Sequence, residues 1–327
     1  MALLKRTFCE NDLLSFFPAP YPDESYYSVL CRYMVHSGLP STRETLLALF
    51  GREISPRSTL LLPYMSTALS IRINPEAAIT EKTIIRSHTA VYYLGITHKH
   101  EETKATITRL REGARCGCRM NYGSSMASPY LRYCPLCAYE EKVAYGEMYW
   151  HRLHQLKGIV YCEKHGTRLE ESEVCLSNIK KTFIPASFAL REIFDKTLDD
   201  VVKQNRTGPE ELLKKNTDIC RDIRWLMENG NRINGLEDTM KRYEAVLSRT
   251  TVARYNNGMI EDLQELRSKA RDYHGEDFLN MLNIQMHEYF EWESAPTIIA
   301  KFLTPLQHVL VMELLCGSVE EFYKQSA

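Results

Sequence analysis

Residues 131–169 read LRYCPLCAYEEKVAYGEMYWHRLHQLKGIVYCEKHGTRL, and two short motifs inside that stretch decide the middle of the fold. Cys134-Pro-Leu-Cys137 is a C-x-x-C knuckle and Cys162-Glu-Lys-His165 is a C-x-x-H knuckle, with 24 residues between them. Each knuckle sets two donors on one tight turn with converging side chains, so the pair supplies Cys134, Cys137, Cys162 and His165 to one tetrahedral metal ion. Thiolate and imidazole suit Zn²⁺, and three Cys with one His is a structural class of site. A filled tetrahedron has no place for an activated water, so one structural Zn²⁺ is expected and not a catalytic one. A redox C-x-x-C would sit in a βαβ pattern, whereas here Gly/Ser-rich chain precedes the motif and a matching Cys/His pair follows it. Loss of the metal is expected to unfold residues 129–174.

Upstream, residues 20–53 read PYPDESYYSVLCRYMVHSGLPSTRETLLALFGRE. Asp23 is placed to cap a helix whose Tyr26, Val29, Leu30, Tyr33 and Met34 recur at helical spacing, with Gly38 as a left-handed stop. Ser41 with Glu44 then forms a capping-box pattern ahead of Leu46, Leu47, Leu49 and Phe50, closed by Gly51. Helix, short turn, helix is the skeleton of a helix-turn-helix reader, which would offer Thr42, Arg43 and Thr45 to a DNA groove. It is equally the skeleton of an ordinary αα-hairpin. Further helices are predicted near 58–70, 81–93 and 101–113, and beyond Cys175 near 210–228, 236–247, 261–273, 276–290 and 305–315. A cluster of Gly, Ser, Pro and Cys near 120–129 marks a boundary. The chain therefore reads as mainly α, in three parts: an N-terminal helix-turn-helix-like helical domain (1–125), a small zinc-binding module with short β segments (126–180), and a C-terminal helical domain (181–327).

The composition is that of an ordinary globular protein: 327 residues, 44% hydrophobic and 25% charged, with 15 Gly and 13 Pro. Forty-one basic residues against 42 acidic ones sum to −1, so a nucleic-acid partner has to be held by local basic surface. Residues 98–120 provide such a surface with Lys99, Lys104, Arg109, Arg111, Arg115 and Arg119. Around the knuckles, Arg132, Arg152, Lys157, Lys164 and Arg168 are candidate phosphate contacts. Residues 276–327 are acidic, with eight Asp or Glu against two Lys. Of the remaining thiols, Cys116, Cys118 and Cys175 could serve a second metal but have no clear fourth ligand. Cys9, Cys31, Cys220 and Cys316 sit in apolar patterns that suit buried packing, and His151 with His154 reads as a packed or phosphate-facing pair. The N-terminus is a poor signal peptide, and the apolar run 298–315 is broken by Lys301, Gln307, His308 and Glu313, so a cytoplasmic protein without a membrane span is expected. No nucleophile elbow, Walker loop, GxGxxG or HExxH occurs, and no enzyme is expected.

Residues 131–169 resemble the zinc-binding signature of the TniQ/TnsD family, the target-selection proteins of transposons that use an AAA+ regulator. The two knuckles fall on the family's metal ligands, and Tyr145-Gly146-Glu147, Tyr149-Trp150, Arg152, Gly166 and Leu169 match as well. PAPYPDESYYSVLCRY (18–33) with LLALFG (46–51) resembles the family's opening, and Ser87-His88-Thr89, Tyr92-Tyr93, Arg132-Tyr133 and PLQHVLVMELLCGSVEEFY (305–323) resemble its TnsD branch. Glu163 stands where members often have Pro, and a second C-x-x-C after the knuckles is here only Cys175. TnsD-like members commonly run on well past the last segment, so the resemblance reads the chain as C-terminally truncated or a short natural form. The resemblance implies a non-enzymatic protein that binds double-stranded attachment-site DNA, recruits the AAA+ ATPase regulator and acts on the transposase indirectly. The alternative within the family is an adaptor carried to DNA by a CRISPR RNA-guided effector complex; outside it are a zinc or thiol enzyme and a module that binds only protein.

Overall fold

The computed structural model describes residues 13–73, 79–114, 125–205, 207–252, 255–256, 259–260, 262–284 and 303–325. The fold is mainly α, as expected, with one two-stranded ribbon and one two-residue hairpin among the described residues.

Helix α1 (Tyr26–His36) is capped by Ser25, whose Oγ accepts from the Ser28 amide. Asp23 does not take the expected capping role. It lies at φ +56° and turns its carboxylate to Arg152 and to the Leu153 amide. Helix α2 (Thr42–Phe50) begins as read from the sequence, with Ser41 Oγ accepting from the Glu44 amide, and ends at left-handed Gly51. Pro56–Thr59 is a 3₁₀ turn, and the chain then turns again at Met65, φ +63°, into α3 (Ser66–Arg72), so the helix expected over 58–70 is split. The one expected over 81–93 is also two, α4 (Glu81–Ser87) and α5 (Val91–Gly95). The backbone between them is occupied by neighbours: Tyr26 N donates to His88 O, and Arg152 Nη1 donates to the carbonyls of Arg86 and Thr89. Helix α6 (His100–Arg111) completes this part.

Strand β1 (Tyr130–Tyr133) pairs antiparallel with β2 (Glu170–Cys175), with Arg132 opposite Glu171 and Tyr133 opposite Glu170. Between them runs α7 (Pro135–Tyr145), closed by Gly146 at φ +73°. The C-terminal helices are α8 (Leu198–Gln204), α9 (Glu210–Asn229), α10 (Gly235–Leu247), α11 (Leu263–His274), α12 (Glu276–Met281), α13 (Pro305–Cys316) and α14 (Val319–Gln325). Helix α12 stops before Asn283, φ +52°, short of the expected helix over 276–290, whose last six positions lie outside the described residues. Helix α9 packs against α4 and α5 on one side and α13 and α14 on the other.

Buried residues from all these parts form one apolar cluster. Trp150 has no exposed surface; its amide donates to Ser28 Oγ, its Nε1 to Ile184 O, and its carbonyl accepts from Ser25 N, so one side chain ties α1 to the stretch after α7. On the other face, Asn216 of α9 accepts from the amides of Val160 and Tyr161 and donates to Tyr161 O. Each of these polar groups is buried with its partners satisfied, which makes the junctions specific as well as apolar.

Gly235 holds α10 to the start of α6. It lies at φ +69°, and a Cβ there would stand 2.5 Å from His100 N and 2.6 Å from His98 O, both backbone atoms that cannot swing aside. Gly235→Ala is therefore expected to lower unfolding free energy by about 2–3 kcal/mol, read as a shift of the urea midpoint at unchanged slope.

Candidate metal centre

The C-x-x-C knuckle is the start of α7. Cys134 is the N-cap, Pro135 occupies the first turn where its missing N–H costs nothing, and the Cys137 amide donates to Cys134 Sγ at 3.5 Å. Both thiols therefore sit at the positive end of a helix, which favours thiolate. The C-x-x-H knuckle is a turn in which Gly166, φ +63°, donates to Cys162 O while the Cys162 amide donates to Thr167 O.

The four side chains converge. His165 Nδ1 lies 3.4 Å from Cys134 Sγ, 3.3 Å from Cys137 Sγ and 3.6 Å from Cys162 Sγ, and Cys137 and Cys162 sulfurs are 3.5 Å apart. All four donor atoms lie within 4.8 Å of one another. A tetrahedron with metal–sulfur arms of about 2.3 Å has sulfur–sulfur edges of about 3.8 Å, so the cluster has the dimensions to hold a metal ion. Surrounding groups suit the same purpose: Thr167 Oγ1 lies 3.3 Å from Cys134 Sγ, and Glu140 Oε1 faces His165 Nε2 at 3.1 Å, leaving Nδ1 toward the sulfurs. Hydrogen bonds from Cys137 and Cys162 hold the Cys134 thiol well below its ordinary range.

Against this centre lies a buried charge network that sequence reading did not find. His151 Nε2 is 2.6 Å from Glu141 Oε1, and its Nδ1 is 3.8 Å from Asp23 Oδ2. Arg152 Nε donates to Asp23 Oδ1 at 3.1 Å. Burial opposes protonation of His151, but Glu141 and Asp23 raise it to about 10, so the ring is an imidazolium. His154 stacks on it at 4.4 Å between centroids and is held down to about 3 by burial, with the His151 charge adding to the effect, so it is neutral. Burial pushes Asp23 up, yet the His151 hydrogen bond and the Arg152 charge outweigh it and hold the carboxyl well below its usual range. A second network joins α1 to the loop after α7: Arg32 donates to Glu24 at 2.9 Å and Glu147 at 2.8 Å under the Tyr21 ring.

The residues expected to meet DNA are placed very differently from one another. Thr45 is fully buried and its hydroxyl donates to Ser41 O, while half-buried Thr42 accepts from the Phe183 amide, so the Thr42 and Thr45 side of the first turn of α2 faces the protein. This corrects the expectation that α2 offers that face to a groove; only Arg43 there is exposed, paired with Glu53. Arg132 and Arg152 do not stand on the open surface, where the expectation put them. Arg132 is buried with Nη2 donating to Leu156 O, and Arg152, 3% exposed, braces Asp23 and two carbonyls. Lys157 is half-buried, Lys164 is exposed and paired with Glu140, and Arg168 is exposed with no ion pair among the described residues. Lys99, Lys104 and Arg111 pair with Glu237, Glu101 and Glu81. Cys31 and Cys220 are buried and Cys175 and Cys316 half-buried; Cys9, Cys116, Cys118, Arg115 and Arg119 lie outside the described residues.

Residues 15–169 match the family model described as TniQ, which takes in both knuckles and the network beside them. That stretch of the chain is therefore similar to TniQ proteins. Over 155 residues the chain is 28% identical to the Transposon Tn7 transposition protein TnsD of Escherichia coli; the match covers 46% of this chain and 30% of that protein. The chain thus spans less than a third of the length of the relative it matches. No helix among the described residues is long and apolar enough to cross a membrane.

Asp23→Asn leaves Arg152 without its counter-charge, and His151 with Glu141 alone, in a buried site. The expected loss is about 3 kcal/mol at neutral pH. A carboxyl lowered in the folded state stabilises above its unfolded pKa of about 4 and loses that contribution as pH falls below it. Urea titrations should therefore show the gap between wild type and Asp23→Asn narrowing as the pH is taken from 7 to below 4.

Proposed function

We propose that the chain is a non-catalytic target-selection protein of a transposon, which binds double-stranded attachment-site DNA and recruits the AAA+ regulator that delivers the transposase. The observation that carries this is the TniQ match over 15–169, supported by the likeness over 155 residues to a transposition protein. The two knuckles act as a structural centre: Cys134, Cys137, Cys162 and His165 hold one Zn²⁺, whose role is to fix the turn geometry between β1, α7 and β2. The donor chemistry supports zinc, since three thiolates and an imidazole at tetrahedral spacing suit a borderline-soft ion with no open position. The protein works in the cytoplasm, on the nucleoid.

Metal analysis of the purified chain is expected to give one zinc per molecule. Chelation should unfold residues 129–174, because binding of this kind is coupled to folding by on the order of 10 kcal/mol; a metal-free protein with unchanged circular dichroism would remove zinc from the account.

For function, a gel shift with duplex carrying the transposon's insertion site should show binding that falls steeply with salt. No shift at low salt, together with tight binding to a guide-RNA effector complex, would assign the chain instead to the adaptor role. Capture of the ATPase by the protein alone, without any nucleic acid, would assign it to a protein-only module.

A further inference from the structure

Beside the metal centre, where α4 meets α9, a pocket of about 400 Å³ is lined by Asp23, Lys82, Thr83, Arg86, Ser87, Arg152, Arg224 and Glu228. Four cations meet two carboxylates there, and with Arg152 paired to Asp23 and Arg224 to Glu163, Lys82 and Arg86 still outnumber Glu228. Asp23 is already committed to Arg152 Nε and the Leu153 amide. Arg152 spends Nε and Nη1 on Asp23 and on the carbonyls of Arg86 and Thr89, and its Nη2 has no partner among the described residues. Lys82 is exposed with no ion pair among the described residues. Arg224 gives Nη2 to Glu163 at 2.5 Å, outside the pocket lining, and is itself one of the lining residues.

Burial opposes the Arg224 charge, yet Asp23 and Glu163 raise it above its ordinary value, while Arg152 is not so favoured. Burial, with the Arg224 charge adding to it, lowers the Arg152 guanidinium from its ordinary value despite Asp23 beside it. Cations gathered around a partly dehydrated hollow are at their most stable with an anion between them.

We propose that this pocket is a seat for one phosphate of a nucleic-acid backbone, with Arg152 at its floor, Arg224 on the α9 wall, and Lys82 with Ser87 on the α4 wall. Donors reach it from three elements, which suits an oxyanion with several free oxygens better than a planar carboxylate. The rim is open at Lys82 and Ser87, both exposed, so an ester chain can enter and leave on either side of the seated group. This rests on the DNA-binding function proposed above, and it moves the contact from α2, whose Thr42 and Thr45 face the protein, to the α4–α9 junction. A buried arginine becomes a positioning group, its Nε and Nη1 fixed by Asp23 and two carbonyls.

The test is fluorescence anisotropy of the full chain with a random-sequence duplex over a salt series. Lys82→Glu is expected to weaken binding at least tenfold at low salt and to flatten the slope of log affinity against log salt by about one. Arg224→Gln should act in the same direction. Lys241→Glu, an exposed charge outside the pocket, should change affinity less than threefold and leave the slope alone. Lys82 is exposed and makes no ion pair among the described residues, so its variant reports on binding even where Arg224→Gln is destabilised.

Wild type that binds duplex while Lys82→Glu matches it in affinity and slope overturns the seat and leaves the DNA-binding function standing. Wild type that binds no duplex at low salt overturns both. Unchanged DNA binding by Lys82→Glu with loss of ATPase capture would show that the pocket holds a protein carboxylate, which also overturns it.

Discussion

Three thiols and an imidazole drawn within 4.8 Å of one another form a constraint that the chain cannot meet by apolar packing alone, because these polar groups are gathered where there is almost no water. A metal ion held by the four donors would supply the missing attraction and pin the ends of two separate turns to a common point. The N-terminus of α7, the turn at Cys162–His165 and the ribbon of β1 and β2 would then have little freedom left. Everything from Trp150 to Gln155, the stretch that meets α1, α4 and the core, is hung between those ends.

That geometry explains why so much charge is buried on one side of the centre. Asp23, Glu141, His151 and Arg152 come from three places in the chain and neutralise one another in near-complete seclusion from water. Buried ion pairs are poor sources of net stability, since desolvation takes back most of the attraction. What they provide here is register. A shifted α1 would strand Asp23 away from Arg152, and a shifted α4 would lose the carbonyls that Arg152 braces. The apolar cluster tolerates sliding far better than this network does, so the network, with Asn216 and Trp150, decides how the helices sit around the metal centre.

The helices and their ends were readable from local chemistry wherever local chemistry was in charge. Ser41 and Gly51 bound α2 as their capping preferences require, and the Cys and His spacing identified four residues that do converge. Reading failed where a distant group competed for the same atoms. Ser25, not Asp23, caps α1 because Asp23 has Arg152 as a stronger partner; the helix expected over 81–93 is broken because its carbonyls are claimed by Arg152 and Tyr26. The same competition removed Thr45, Arg132 and Arg152 from the surface. In a sequence, an arginine carries no mark that tells a bracing role from a phosphate contact, since both use the same fork of donors.

The sequence by itself determined the mainly α class, the knuckles and their ligand chemistry, and the resemblance to TniQ/TnsD proteins. Each of these depends on residues a few positions apart, where covalent geometry limits the outcomes. Which charges face solvent, which pair in the interior and where an uncommitted cation meets an open hollow were decided only by the tertiary structure. Those properties depend on dielectric surroundings and on partners over a hundred residues away, as Asp23 and Arg152 are, and neither is written in the local order of side chains.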